Sequence, residues 1–135
     1  MDERIESRID SIQEWMHLLN DIHGSKVRED ITREAKENLL RKIVEAVIDI
    51  ASRIIAVNGF KRPETYAEYF DLLNEKNIIT EDLSKSLVEM AQFRNLITHQ
   101  YHRIDVEELD SIIEEDLEDI SKFISQVTAY QETKN

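Results

Sequence analysis

Apolar residues recur every three or four positions along most of the chain, and this periodicity predicts five helices. The first covers about residues 3–21, where Ile5, Ile9, Ile12, Met16, Leu19 and Ile22 form one stripe and Gly24 is placed to stop it. The second covers about 29–57 and carries two adjacent stripes. One is Leu39, Ile43, Val47, Ile50, Ile54 and Val57; the other is Leu40, Val44, Ile48, Ala51 and Ile55. A helix apolar on two sides is expected at the centre of a bundle. Asn58-Gly59 ends it, and Arg62-Pro63 opens a short third helix over about 64–76. Thr65-x-x-Glu68 has capping-box spacing there, and Tyr66, Tyr69, Phe70 and Leu73 form its inner face. Thr80 caps the fourth helix, with Glu81 and Asp82 placed well for its dipole and Leu83, Leu87, Met90 and Ile97 as its stripe. The fifth starts near Asp105, at Asp105-x-x-Glu108, and runs to about Tyr130 on Leu109, Ile113, Leu117, Ile120, Ile124 and Val127. Residues 131–135 read as a frayed tail.

The expected fold class is therefore all-α: an antiparallel bundle of about five helices in one domain spanning 1–135. Composition supports it, since two glycines and one proline leave little turn material for strands. With no cysteine, there is no disulfide, thiolate metal site or cysteine nucleophile. The charged start, MDERIESRID, shows no signal peptide, and no apolar run approaches the roughly 20 residues that span a bilayer. The expectation is a cytoplasmic protein with no membrane partner. A net charge of −12 argues against a general nucleic-acid coat and DNA is not expected, but a small local site acting on RNA is compatible with it. The same charge suits a basic protein partner, and most of these carboxylates read as a solvated surface.

Reactive groups concentrate in Arg94-Asn95-Leu96-Ile97-Thr98-His99-Gln100-Tyr101. Asn95 and His99 are four apart and share a face if the helix extends that far, which lets Asn95 support the site by orienting the imidazole. The pattern leaves His99-Gln100-Tyr101-His102-Arg103-Ile104 as the segment between the last two helices, with His102 and Arg103 as candidate RNA contacts. RNA is cut without a metal when its 2′-hydroxyl attacks the adjacent phosphate. That reaction needs a base, an acid and a cation beside the phosphate. Histidine suits the proton transfers and arginine the phosphate. One of each is a thin catalytic set, which a two-fold dimer doubles. Taken by spacing alone, the pair is more commonly a dipole-compatible helix end. Asp49 lies with Glu45 and Ser52 on the polar side of helix two, where it either reaches Arg94 or His99 or belongs to a solvated stripe. His17 and His23 have no spaced partner ligands, Trp15 reads as a packing or interface residue, and no metal or cofactor site is expected.

Arg94-Asn95-x3-His99-x-Tyr101 resembles the R-x4-6-H signature of HEPN domains, in the R-x4-H-x-Y form of HepT-like toxins. Ala46-Val47-Ile48-Asp49-Ile50-Ala51, Arg62-Pro63-Glu64-Thr65-Tyr66, Phe93-Arg94-Asn95 and Tyr101-x2-Ile104-Asp105 resemble other landmarks of that family, in order, over about residues 40–105. The resemblance implies a homodimer with both Arg-His pairs lining a composite cleft, and a metal-independent endoribonuclease that is toxic when unrestrained. It also implies an MntA-like nucleotidyltransferase antitoxin that adenylylates the motif tyrosine. By position, Arg94 and His99 take the catalytic roles, Asn95 a supporting one, and Tyr101 the modification. The alternative is a non-catalytic HEPN module that docks a nucleotidyltransferase or binds nucleotide.

Overall fold

The computed structural model describes residues 2–23, 29–100 and 106–134; at 29–31, 95–100, 106 and 108 the description covers the backbone alone. Among the described residues there are five helices and no strand: α1 (Glu3–His23), α2 (Glu29–Val57), α3 (Tyr66–Glu75), α4 (Glu81–Gln100) and α5 (Val106–Thr133). The expected stops at Gly24 and the start at Asp105 lie outside the described residues.

The central place expected for α2 is observed: it packs against each of the other four helices. Its two stripes explain this, since Ile43, Val47, Ile50 and Ile54 on one side and Leu40, Val44, Ala51 and Ile55 on the other are all essentially inaccessible. Ile5, Ile9, Ile12 and Leu19 of α1, Tyr69, Phe70 and Leu73 of α3, and Leu83, Leu87 and Met90 of α4 close around it in one apolar core. Phe70 meets Phe123 of α5 edge-on, with ring centroids 6.3 Å apart.

Two helix ends show how the chain reverses. After α2, Gly59 adopts a positive φ of 68°, and the Phe60 amide donates to the Ile55 carbonyl at 3.1 Å. This is the left-handed stop that glycine makes easily. After α3, Asn77 plays the same part at φ 59°, with the Ile78 amide donating to the Leu73 carbonyl at 2.9 Å. Thr65 and Thr80 cap α3 and α4 as expected, accepting from the amides of Glu68 and Leu83 at 3.3 and 3.4 Å.

Four readings of the pattern need correction. Val57, placed on the α2 stripe, is 48% exposed at the end of that helix. Tyr66 is not on the inner face of α3: it is 47% exposed and lies edge-on to buried Tyr69. The α4 helix continues through His99 and Gln100, which the motif alone had placed in the following loop. On α5 the seam is Leu109, Ile113, Asp116, Ile120, Phe123 and Val127, while Leu117 and Ile124 flank it half-buried. That seam steps by four and three in turn, a 3.5-residue repeat, and so places a carboxylate at an inward position.

Charged clips fasten the ends of the bundle. Lys36 of α2 is 7% exposed and donates to Asp110 of α5 at 3.0 Å. His23, at the end of α1, lies 3.5 Å from Asp110 and 3.2 Å from Glu114, a structural setting consistent with its lack of spaced partner ligands. At the opposite end, Asn58 accepts from the Tyr130 hydroxyl and the Lys134 ammonium, both at 3.0 Å. This orders residues expected to fray. Trp15 packs half-buried against the core, as expected.

Candidate active site

Arg94 is the next member of the row Leu83, Leu87 and Met90 on α4. Its stem continues that buried row, and its side chain emerges about one quarter exposed where α4 meets α2. Glu45 of α2 waits there, between buried Val44 and Ala46. The Arg94 Nη2 donates to Glu45 Oε1 at 3.0 Å, a charge-assisted bond across the seam. One turn earlier on α2, Arg41 comes within 3.6 Å of the same oxygen, and its Nη2 donates to Asn38 Oδ1 at 2.6 Å. Asn38, Arg41 and Glu45 thus form a polar rail along α2 that ends on Arg94. Two guanidinium groups lie against one carboxylate.

Asp49, one turn beyond Glu45, does not reach Arg94. It pairs with Arg8 of α1 at 3.6 Å and is exposed. The polar side of α2 was readable from the sequence, but which of its carboxylates faces α4 depends on helix rotation and crossing. Asn95 and His99 both lie within α4, so the helix extends far enough for the two positions to share a face. Their side chains, and Tyr101, His102 and Arg103 altogether, lie outside the described residues.

Around the flank of α4 is a cleft of about 680 Å³, lined by Arg62, Glu64, Tyr66, Tyr69, Ala91 and Gln92 among others. The Arg62-Pro63-Glu64-Thr65-Tyr66 landmark supplies one wall and α4 the other. The cleft was not legible beforehand, because Tyr66 had been assigned to the core.

One buried carboxyl lies away from this region. Asp116 is 8% exposed, and among the described residues its Oδ2 has no hydrogen-bond partner. Burial pushes its pKa up to about 7, helped by the like charges of Asp119 and Glu115. Among the described residues no three His, Asp or Glu side chains gather as metal ligands. No described helix is long and apolar enough to cross a membrane.

The five-helix architecture defines a class of helical proteins already seen in solved structures. The chain superimposes on the tri-AMPylated HEPN toxin of Shewanella oneidensis, solved in complex with its MNT antitoxin, with a TM-score of 0.88 at 26% identity, over 96% of this chain and 99% of that one. It is 29% identical to the mRNA nuclease HepT of Shewanella oneidensis over 132 residues, covering 96% of this chain and 99% of the relative. It is 28% identical to the tRNA nuclease HepT of Aphanizomenon flos-aquae over 134 residues, covering 93% and 88%. The family model for HepT-like ribonucleases matches residues 5–127. The chain belongs to the HepT-like ribonuclease family.

Proposed function

We propose that the chain is the RNA-cleaving toxin of a toxin–antitoxin pair and that it works as a homodimer without a metal. The observation that carries this reading is the continuity of α4 through Gln100, which keeps Arg94 and His99 on one helix in the family's order, with Arg94 braced by Glu45. Five residues on a helix separate two positions by about 140° around its axis. A single helix therefore spreads the two groups, and a second copy completes the set around one phosphate. In the reaction, one His99 takes the proton from the 2′-hydroxyl as its oxygen bonds to phosphorus. The 5′-oxygen leaves with a proton from the other His99. Arg94 offsets the charge that builds on the phosphoryl oxygens. Asn95 supports the imidazole, and His102 and Arg103 add RNA contacts.

Control of the toxin falls to an MntA-like nucleotidyltransferase, present in this cytoplasmic system as the antitoxin. Transfer of AMP from ATP to the Tyr101 oxygen, with loss of the phenol proton and departure of pyrophosphate, places a nucleotide and a phosphodiester charge two residues from His99, where it repels and blocks an RNA phosphate. Support comes from the solved toxin, described as tri-AMPylated and in complex with its MNT antitoxin. The test is cleavage of RNA by purified protein in chelator, beside Arg94→Ala and His99→Ala, with the intact mass measured after co-expression with the partner. Loss of cleavage in both variants and AMP-sized mass additions that vanish in Tyr101→Phe are the expected results. Equal cleavage by all three proteins would remove this mechanism, and no cleavage by the parent would leave a docking or nucleotide-binding module instead.

A further inference from the structure

The cleft between the start of α3 and α4 has the parts of a nucleotide site. Tyr69 anchors it: the residue is 2% exposed, and its hydroxyl accepts from Arg62 Nε at 2.7 Å. That bond holds the guanidinium 5.7 Å from the Tyr69 ring centroid. Among the described residues neither terminal nitrogen of Arg62 has another partner, so its fork faces outward. Tyr69 also braces Tyr66, with ring centroids 5.4 Å apart at 71°. The Tyr66 ring is thus held at a set angle while the residue stays nearly half exposed. Across the cleft, α4 presents the exposed Gln92, whose amide both donates and accepts. Glu64 lines the cleft as well. Its carboxylate accepts from base amino groups and opposes a second phosphate, which favours a single nucleotide over a run of backbone.

Location points to the occupant. Gln92 and position 99 are seven residues apart on one unbroken helix, hence on the same face and about 10 Å apart along its axis. A strand whose phosphate sits at His99 passes this cleft with a neighbouring nucleotide. Single-stranded RNA is held by stacking on exposed aromatic rings and by guanidinium contacts to phosphate. We propose that the cleft is a subsite for one nucleotide of the RNA substrate, flanking the scissile position: Tyr66 stacks the base, Arg62 takes the phosphate, and Gln92 and Glu64 meet the base edge. This rests on the RNA-cleaving reading and adds to it a site for substrate recognition away from the R-x4-H element.

The test separates binding from cutting. A fluorescein-labelled single-stranded RNA of mixed sequence, 2′-O-methylated throughout, lacks the attacking hydroxyl and is titrated with the full chain by fluorescence anisotropy. Tyr66→Ala weakens binding about tenfold without altering the salt dependence, and Tyr66→Phe restores it. Arg62→Gln weakens binding and lowers the slope of log affinity against log salt by about 0.7. Thermal unfolding confirms that each variant is folded, and Arg62→Lys, which keeps the charge, retains the slope if the Gln variant is destabilised. Probe affinity within twofold of the parent for both Tyr66→Ala and Arg62→Gln, or no binding by the parent, overturns the subsite. Those two variants also matching the parent in cleavage of unmodified RNA would sink the subsite and leave the nuclease reading standing. Tyr66-dependent binding of the probe by a parent that cuts no unmodified RNA would do the reverse.

Discussion

Arg94 owes its position to a carboxylate one helix away, and this gives the residue scale its first prediction. Arg94→Ala removes the phosphate-facing charge, so RNA cleavage falls by about 10²–10³-fold. Arg94→Lys recovers little of it, because an ammonium reproduces neither the fork nor the bond geometry to Glu45. Glu45→Gln keeps shape and loses the ion pair, and about a tenfold loss confined to kcat marks it as a positioning residue. Unchanged kcat in Glu45→Gln would reduce the pair to a structural contact. Asp116 makes the second prediction. Its folded pKa of about 7 lies above the ordinary 3.8, so the folded state holds the proton more tightly than the unfolded chain. Stability therefore falls as pH rises from about 4 to about 7 and is level above that, a loss on the order of a few kcal/mol. Asp116→Asn removes this penalty. Its gain in Tm over the parent grows between pH 5 and pH 8 and reaches several degrees. A gain independent of pH would show that the carboxyl is not the source.

At the scale of elements, the bundle is held by apolar stripes and trimmed by charged clips. The α1–α2–α5 clip is the testable one, because the Lys36 ammonium is buried while Asp110 is about one third exposed. Asp110→Asn leaves that ammonium without its carboxylate. After discounting for solvent at Asp110, unfolding in urea should show a loss of about 1–3 kcal/mol. Adding Lys36→Met in the same chain recovers most of the loss, since a neutral side chain of similar length needs no partner. A double variant no more stable than Asp110→Asn would mean that Asp110 acts through His23 instead. The capping threonines and the left-handed stops at Gly59 and Asn77 set where α2, α3 and α4 begin and end. They thereby set how far along α4 the motif lies from the Arg62–Tyr66 wall.

For the whole molecule the decisive property is the second copy. If one phosphate needs an arginine and two imidazoles drawn from both protomers, Arg94→Ala and His99→Ala chains are each inactive alone. Refolded with an excess of His99→Ala, the parent chain is drawn into heterodimers that hold a single imidazole, and its cleavage falls in proportion. Sedimentation of the parent chain at twice its monomer mass is the companion measurement. Activity in a strictly monomeric sample would remove the composite cleft while leaving the family assignment intact.

Much of this was legible in the amino-acid order because helical periodicity is a local property: a stripe every three or four residues specifies a helix and its buried face without reference to any neighbour. The five helices, the central place of α2, both threonine caps and the R-x4-H-x-Y element follow from such short-range patterns. What they leave undecided is rotation and crossing. A shift of one position around α5 turns Asp116 inward and Leu117 aside, and four residues along α2 separate Glu45, which meets Arg94, from Asp49, which meets Arg8. Tyr66 stands out of the core for the same reason: the face that α3 turns to its neighbours is chosen by packing against α4 and α2. Contacts between helices depend on how rigid rods settle against one another, and only the tertiary structure decided them.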